Sequence, residues 1–536
     1  MLVPKYLPNK PTSLQLELEY IRRSAHLNHI PLTTRSDSAI NHSRMEVALA
    51  SNSTNEPAIH RLVDDILEDI FLLNATLPDP ELQHATTLAS SQVCTRWRSI
   101  ALNCHTIWCL IIDYRRHSLK WIETLLDRSN PSPLDLGSQS NLVQWDNGGQ
   151  GVLELVFDHI NRLRIFNVYV NFSSWELVCS RFLQMPAPNL EVFHIISQAA
   201  GGYLTHPLFN NHAPNLRSLS LSRCMIDFTS PVLTSLTELY VHLLEENTLP
   251  TVLDWLNIFG RMPSLRSVRL RGGISSGLPT DSFPVIHLDA LDMLEVEGLL
   301  HECVALLKHL IVPLCCGLDL TCDGTHQGFD QRQLWTIIEK KIDSWAKNPY
   351  RRLNVTAFSG FVNVGNLPRE DISKEVDTAL SISLELSNVD ETASLFHSLF
   401  SLFKRTFFDT TSFRIFDNDR FGTEAVTPSV DNFREFVNLE ELFLRKEYLP
   451  RILFPFLQHT NPVLLPSIKT FHFRSVTFQD GSDSILLQLA DFLQWRREQG
   501  FPVQKIVIVA DPYRINRDYI LSHIQGTVVE IVEIIR

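Results

Sequence analysis

The chain has 536 residues, 44% of them hydrophobic, a formal charge of −13 at pH 7 and a sequence pI near 5.9. That length exceeds one compact core and implies several domains or an elongated array. The acidic balance gives no nucleic-acid footprint, and no apolar run approaches the length of a membrane span.

The opening residues, MLVPKYLPNKPTSLQLELEY, lack the apolar core and small-residue cleavage site of a secretory leader, so a cytoplasmic or nuclear protein is expected. The nine cysteines are scattered and none forms a C-x-x-C pair. Reduced thiols packed as small hydrophobes are expected, with no metal site and no cofactor. Residues 1–56 combine a short amphipathic helix, SLQLELEYIRRSAHL, with a polar, patternless linker.

At residue 57 the pattern changes. Ile59, Leu62, Val63, Ile66, Leu67, Ile70 and Phe71 recur at the spacing of one apolar helix face, with Asp64, Asp65, Glu68 and Asp69 on the other side. The aspartates at its start suit the positive end of the helix dipole. Asp79 followed by Pro80 marks a second helix start: a capping carboxylate, then proline in the first turn. That helix is expected to run on through SSQVCTRWRSIALNCHTIW, residues 90–108, with Val93, Trp97, Ile100 and Cys104 on one stripe. TIWCLIIDY then reads as a strand or a third short helix.

From residue 130 onward a repeat dominates. The frame L-x-x-L-x-L, with other apolar residues allowed, occurs at Leu190/Phe193/Ile195, Leu216/Leu219/Leu221, Leu236/Leu239/Val241, Leu265/Val268/Leu270 and Leu291/Leu294/Val296. It returns at Leu439/Leu442/Leu444 and Ile468/Phe471/Phe473. First positions are spaced by 26, 20, 29 and 26 residues, and in the later pair by 29. Weaker copies, such as LRIFNV at Leu163, fill the series. These periods are those of leucine-rich repeats, in which each unit gives one short strand and a return, and stacking buries what no unit buries alone. TVLDWLNIFGRM, ETASLFHSLFSLFKRTF and SILLQLADFLQWRREQG read as helical returns.

The segment 57–110 resembles an F-box. Leu62, Asp64 or Asp65, Ile66, Leu67, Ile70 and Phe71 match the family's first helix. Val93, Cys94, Trp97, Ile100 and Ala101 match its Val-Cys-x-x-Trp-x-x-Ile-Ala stretch, and Trp108 matches the tryptophan that follows. Val63 stands where the family has proline. An F-box followed by degenerate repeats is similar to the large F-box families of mushroom-forming fungi. The resemblance implies an α/β chain: a small helical F-box at 57–110, then at 111–536 a leucine-rich-repeat-like solenoid, a horseshoe of short parallel strands with helical returns. It also implies a non-enzymatic substrate receptor of an SCF-type ubiquitin ligase. Leu62, Ile66, Leu67, Ile70, Phe71, Val93, Cys94 and Trp97 would meet the Skp adaptor, which links to a cullin and its RING subunit. Leu62, Ile66, Leu67 and Phe71 are expected as the contacts, and Ile100 and Trp108 as internal packing. A scaffold outside any ligase is the alternative, and a hydrolase would need a residue set that is not found.

A protein substrate is expected on the strand face flanking the frame leucines. Tyr240, His242, Arg269, Arg271, Phe443, Arg445, His472 and Arg474 fall there, beside His194, Glu238, Glu295, Glu297 and Glu441. Arginine forks pair with phosphate, so a basic and aromatic face reading an acidic or phosphorylated segment is expected. RGGISSG has no phosphate-loop lysine, and the Cys322/Asp323/His326 cluster reads as a polar loop.

Overall fold

The computed structural model describes residues 61–137, 143–144, 149–198, 202–204, 207–243, 249–272, 274–275, 283–313, 315–323, 334–340, 352–358, 361–365, 380–385, 398, 401–402, 404, 408, 410–416, 433–445, 462–474, 483–510 and 517–533. For the strands at 352–358, 361–365 and 380–385 only the backbone is described. The expected helix at 13–27, most of the return at 391–407, and His326 lie outside the described residues. The protein is mixed α/β and divides into two units, Met1–Glu238 and Leu239–Arg536.

The first unit opens with five helices: α1 (Asp64–Ala75), α2 (Pro80–Ser90), α3 (Thr95–Asn103), α4 (His105–Leu110) and α5 (Leu119–Arg128). Asp79 caps α2 as expected, its carboxylate accepting from the amides of Glu81 at 2.9 Å and Leu82 at 3.3 Å. The continuous helix expected from there through residue 108 is instead three helices. The chain turns after Ser90 and restarts at Cys94, whose Sγ accepts from the Trp97 amide at 3.5 Å. Cys104, at φ −82° and ψ 79°, separates α3 from α4. Leu67, Phe71, Ala75, Ile100, Ala101, Ile107, Trp108 and Leu125 form one core, so α5 shares it with the helices before it. The Trp108 indole N–H donates to the Ala101 carbonyl at 2.7 Å, which lets so large a side chain be fully buried.

Four parallel strands follow, β1 (Leu134–Leu136), β2 (Leu163–Val170), β3 (Val192–Ser197) and β4 (Ser218–Ser222), in the order β1-β2-β3-β4. Helix α6 (Gln150–Phe157) lies between β1 and β2 in sequence, and α7 (Phe172–Ser180) between β2 and β3. Phe157, Phe182, Phe166 and Phe193 pack in series in that order, with ring centroids 4.4–5.4 Å apart between successive partners.

The second unit holds β5 (Glu238–His242) apart from its first residue, α8 (Val252–Gly260), β6 (Ser267–Arg271), β7 (Met293–Leu299), α9 (Leu300–His309), β8 (Gly317–Asp323), β9 (Arg352–Phe358), β10 (Phe361–Gly365), β11 (Leu380–Glu385), β12 (Ser412–Phe416), β13 (Glu441–Arg445), β14 (Thr470–Arg474), α10 (Asp483–Glu498), β15 (Lys505–Ala510), α11 (Arg517–His523) and β16 (Val528–Glu533). Their order is β5-β6-β7-β8-β11-β10-β9-β12-β13-β14-β15-β16. β10 runs antiparallel to both its neighbours, whereas β8 pairs with β11, and β9 with β12, in parallel. Two expected returns are helices. α8 starts with a reciprocal Thr251–Asp254 cap, and α10 covers SILLQLADFLQWRRE.

Each of the seven frames produces a strand that begins two residues after its first apolar position. All of their frame side chains are buried, none more than 2% exposed. Strand side chains alternate between faces, so burying one face leaves the intervening residues on the other. The asparagines that precede three of the frames also bind neighbouring turns. The Asn189 amide donates to the Asn161 carbonyl at 2.5 Å, Asn215 to Pro188 at 2.9 Å and Asn438 to Phe408 at 2.9 Å. Each bond reaches back 27 to 30 residues to a carbonyl outside the strands.

Candidate interaction surfaces

The apolar face of α1 is wider than the groove that receives it. Leu67, Phe71 and Ala75, at i, i+4 and i+8, point into the core and are fully buried. A second row, Val63, Ile66, Ile70 and Leu73, lies beside it on the helix. Ile66 is 44% exposed and Leu73 69%, and Ile70 is half-buried. Leu67 and Phe71 were expected to face a partner; instead they hold the helices together, because only one row of so broad a face fits between α3 and α4. Leu62 is half-buried against the same core. Val93, ahead of α3, is 60% exposed. Cys94 is half-buried and serves as the α3 cap. Trp97 is half-buried, its ring edge-on to Phe71 with centroids 5.3 Å apart. Ile100 and Trp108 are internal, as expected.

Arg96 sets the geometry of this surface, and sequence reading passed over it. Its guanidinium donates to the Asp64 carboxylate, at 3.0 Å through Nε, and to the Leu62 carbonyl at 2.5 Å. The first turn of α1, which starts at Val63 and has no side-chain cap, is thereby tied to the first turn of α3. The only signal in the sequence is an arginine at one helix start and acids at another, 32 residues apart.

The residues expected to bind substrate are found on the strands, between the frame positions or directly after the last of them. The side chains of Arg445 and Arg474 lie outside the described residues. The arginines of β6 are already engaged. Register sets Arg269 opposite Glu295 and Arg271 opposite Glu297. Arg271 bonds Glu295 at 2.7 Å and approaches Glu297 at 3.7 Å, and Arg269 lies 3.7 Å from Glu295. The expectation of a basic face is therefore corrected: these forks are neutralised on the neighbouring strand, so the face is charge-balanced there. Tyr240 and His242 are half-buried, with ring centroids 6.5 Å apart.

Further along, Arg414, Phe443 and His472 form one rung across β12, β13 and β14. Phe443 and His472 stack with centroids 3.8 Å apart and planes at 9°, and Arg414 sits over the Phe443 ring at 4.2 Å. Burial, helped by the positive charges of Arg414 and Lys505, pushes the His472 pKa down to about 4. In the first unit, His194 Nε2 lies 3.0 Å from Ser218 Oγ, whose proton goes to Glu238 at 2.8 Å. Burial likewise lowers the His194 pKa to about 4. The serine donates to the carboxylate and accepts from the imidazole. That is a structural chain of bonds, the reverse of a base-activated nucleophile.

No protein-family model matches the chain, and no curated protein is significantly similar to it. Among the described residues no three His, Cys, Asp or Glu side chains converge as a metal site requires, and no helix is long and apolar enough to cross a membrane.

Proposed function

We propose that residues 57–110 are an F-box that docks on the Skp adaptor of a cullin–RING ubiquitin ligase. In this reading the strands that follow form a leucine-rich-repeat-like solenoid that presents a protein substrate through its polar face. The observation that carries the proposal is the unspent apolar row of α1. Val63, Ile66 and Leu73 face solvent beside a complete core, as does Val93, with Trp97 and Ile70 half-covered. Large side chains left in water on a segment this short favour a subunit that covers them. The order and spacing of the matching residues add the identity of that subunit. The balanced charge of the β6–β7 rungs supports a folded or mixed-charge protein segment as substrate over a cluster of phosphates.

The test is capture of purified Skp adaptor by the full chain. The intact chain binds, and Ile66→Asp and Val93→Asp each weaken binding at least tenfold while leaving the circular dichroism spectrum unchanged. Neither side chain contributes to the core, so loss of binding reports the interface. Failure of the intact chain to bind, or equal binding by both variants, overturns the proposal and leaves a scaffold acting outside a ligase.

A further inference from the structure

We propose that a cleft in the second unit binds a small single-chain amphiphile with an anionic head group. The cleft has a volume of about 440 Å³, within the ~300–1,000 Å³ of pockets that hold small ligands. It is formed by α9, the segment that leads into β8, and the helix at 334–340. Leu294 and Leu318, adjacent in the β7–β8 register and both fully buried, make its floor. Leu307, Leu310 and Ile337 make its walls, and the exposed Lys308 and Lys340 stand at its mouth.

Three observations select the ligand. The lining is mostly aliphatic, so the bound body is apolar and gains by leaving water. Among the described residues no acidic side chain lines the cleft and neither lysine has a carboxylate partner. Two cations at the rim of an apolar recess complement a ligand that is greasy at one end and negative at the other. Lysine ammonium groups act as point charges without a fixed fork, so carboxylate and phosphate heads are both accommodated. The site is separate from the polar strand face. Glu295 and Asp319 point to that face, whereas Leu294 and Leu318, one residue before each, point into the cleft. The inference therefore stands independently of the ubiquitin-ligase reading.

Isothermal titration of the full chain with decanoate, decyl phosphate and decanol tests it. The two anions bind saturably, one per chain, at least tenfold tighter than decanol. In the chain carrying both Lys308→Gln and Lys340→Gln that preference is lost and decanol binding is unchanged. Ile337→Trp, a partly exposed wall position, fills the cleft and weakens all three ligands at least tenfold. The inference is overturned by absence of saturable anion binding, by decanol binding as tightly as the anions, or by affinities that ignore both variants. Binding to phosphatidylglycerol vesicles but not to the free amphiphiles overturns it as well.

Discussion

Arg496 is the most informative single position for the stability of the second unit. It lies on α10, 1% exposed, with no carboxylate partner among the described residues. Its guanidinium spends its donors on three carbonyls: Nε on Phe501 at 3.1 Å, one terminal nitrogen on Leu464 at 2.8 Å and the other on Leu465 at 3.0 Å. Leu465 has φ +50°, a left-handed conformation that costs a non-glycine residue about 1–2 kcal/mol. The arginine thus holds a strained turn against the helix that follows it.

Replacing Arg496 with Met keeps most of the apolar stem and removes the charge. Burial lowers the guanidinium pKa from 12.5 to about 10, so the buried cation carries a desolvation cost of about 3 kcal/mol that Met does not. Against this, bonds to a charged donor contribute about 1.5–3 kcal/mol each, and three of them are lost, although the Leu465 carbonyl keeps the Ile468 amide as a donor at 3.2 Å. The loss outweighs the gain, and a net destabilisation of about 2–5 kcal/mol is expected. Lysine rescues little, because one ammonium cannot span three acceptors held for a planar fork. Hydrogen exchange of the α10 amides reads the effect. At ~1.4 kcal/mol per tenfold, protection should fall by about 30-fold or more in Arg496→Met and in Arg496→Lys. Exchange within threefold of the parent in Arg496→Met would refute the reasoning, since it would mean that burial cost and bonding cancel.

Two other consequences are open to measurement. His194 and His472 are held near pKa 4 by burial, below the unfolded value of 6.5, so the folded state prefers both imidazoles neutral. Their contribution is complete above pH ~6.5 and is lost as pH falls toward 4, at most about 3 kcal/mol for His194 and less for the partly solvated His472; a urea midpoint that stays constant from pH 7 to 4.5 would contradict this. The Arg271–Glu295 pair is mostly buried, with side chains 26% and 12% exposed, whereas Arg266–Asp292 is mostly exposed. Double-mutant cycles should give about 1 kcal/mol or more for the first and under ~0.5 kcal/mol for the second, with only the second abolished by 0.5 M salt; equal couplings would show that burial does not separate them.

How much of this was written in the sequence depends on what each pattern records. The seven frames were legible because a strand with one buried face must alternate, and alternation survives in one dimension. Leu219 and Leu221 are buried for the same local reason that Ser220 is not. The reversal β11-β10-β9 was not legible, since RLNVTAF and LSISLEL carry the same alternation whether a neighbour runs parallel or antiparallel. The breaks between α2, α3 and α4 were hidden for a related reason. Val93, Trp97, Ile100 and Cys104 keep helical spacing from the lead-in of α3 to its C-cap, and periodicity does not mark the turn at Ser91. Which row of α1 faces inward was undetermined, because Ile66 and Leu67 are both large aliphatics one step apart on a face broader than its groove. The arginines show the sharpest limit. Arg269 and Arg271 read as free forks until register sets Glu295 and Glu297 across from them. Neutralisation is a property of two strands and cannot be read from either alone. A charged strand face inferred from sequence therefore has the sign of its strands taken singly, whereas the surface a partner meets has the sign of its rungs.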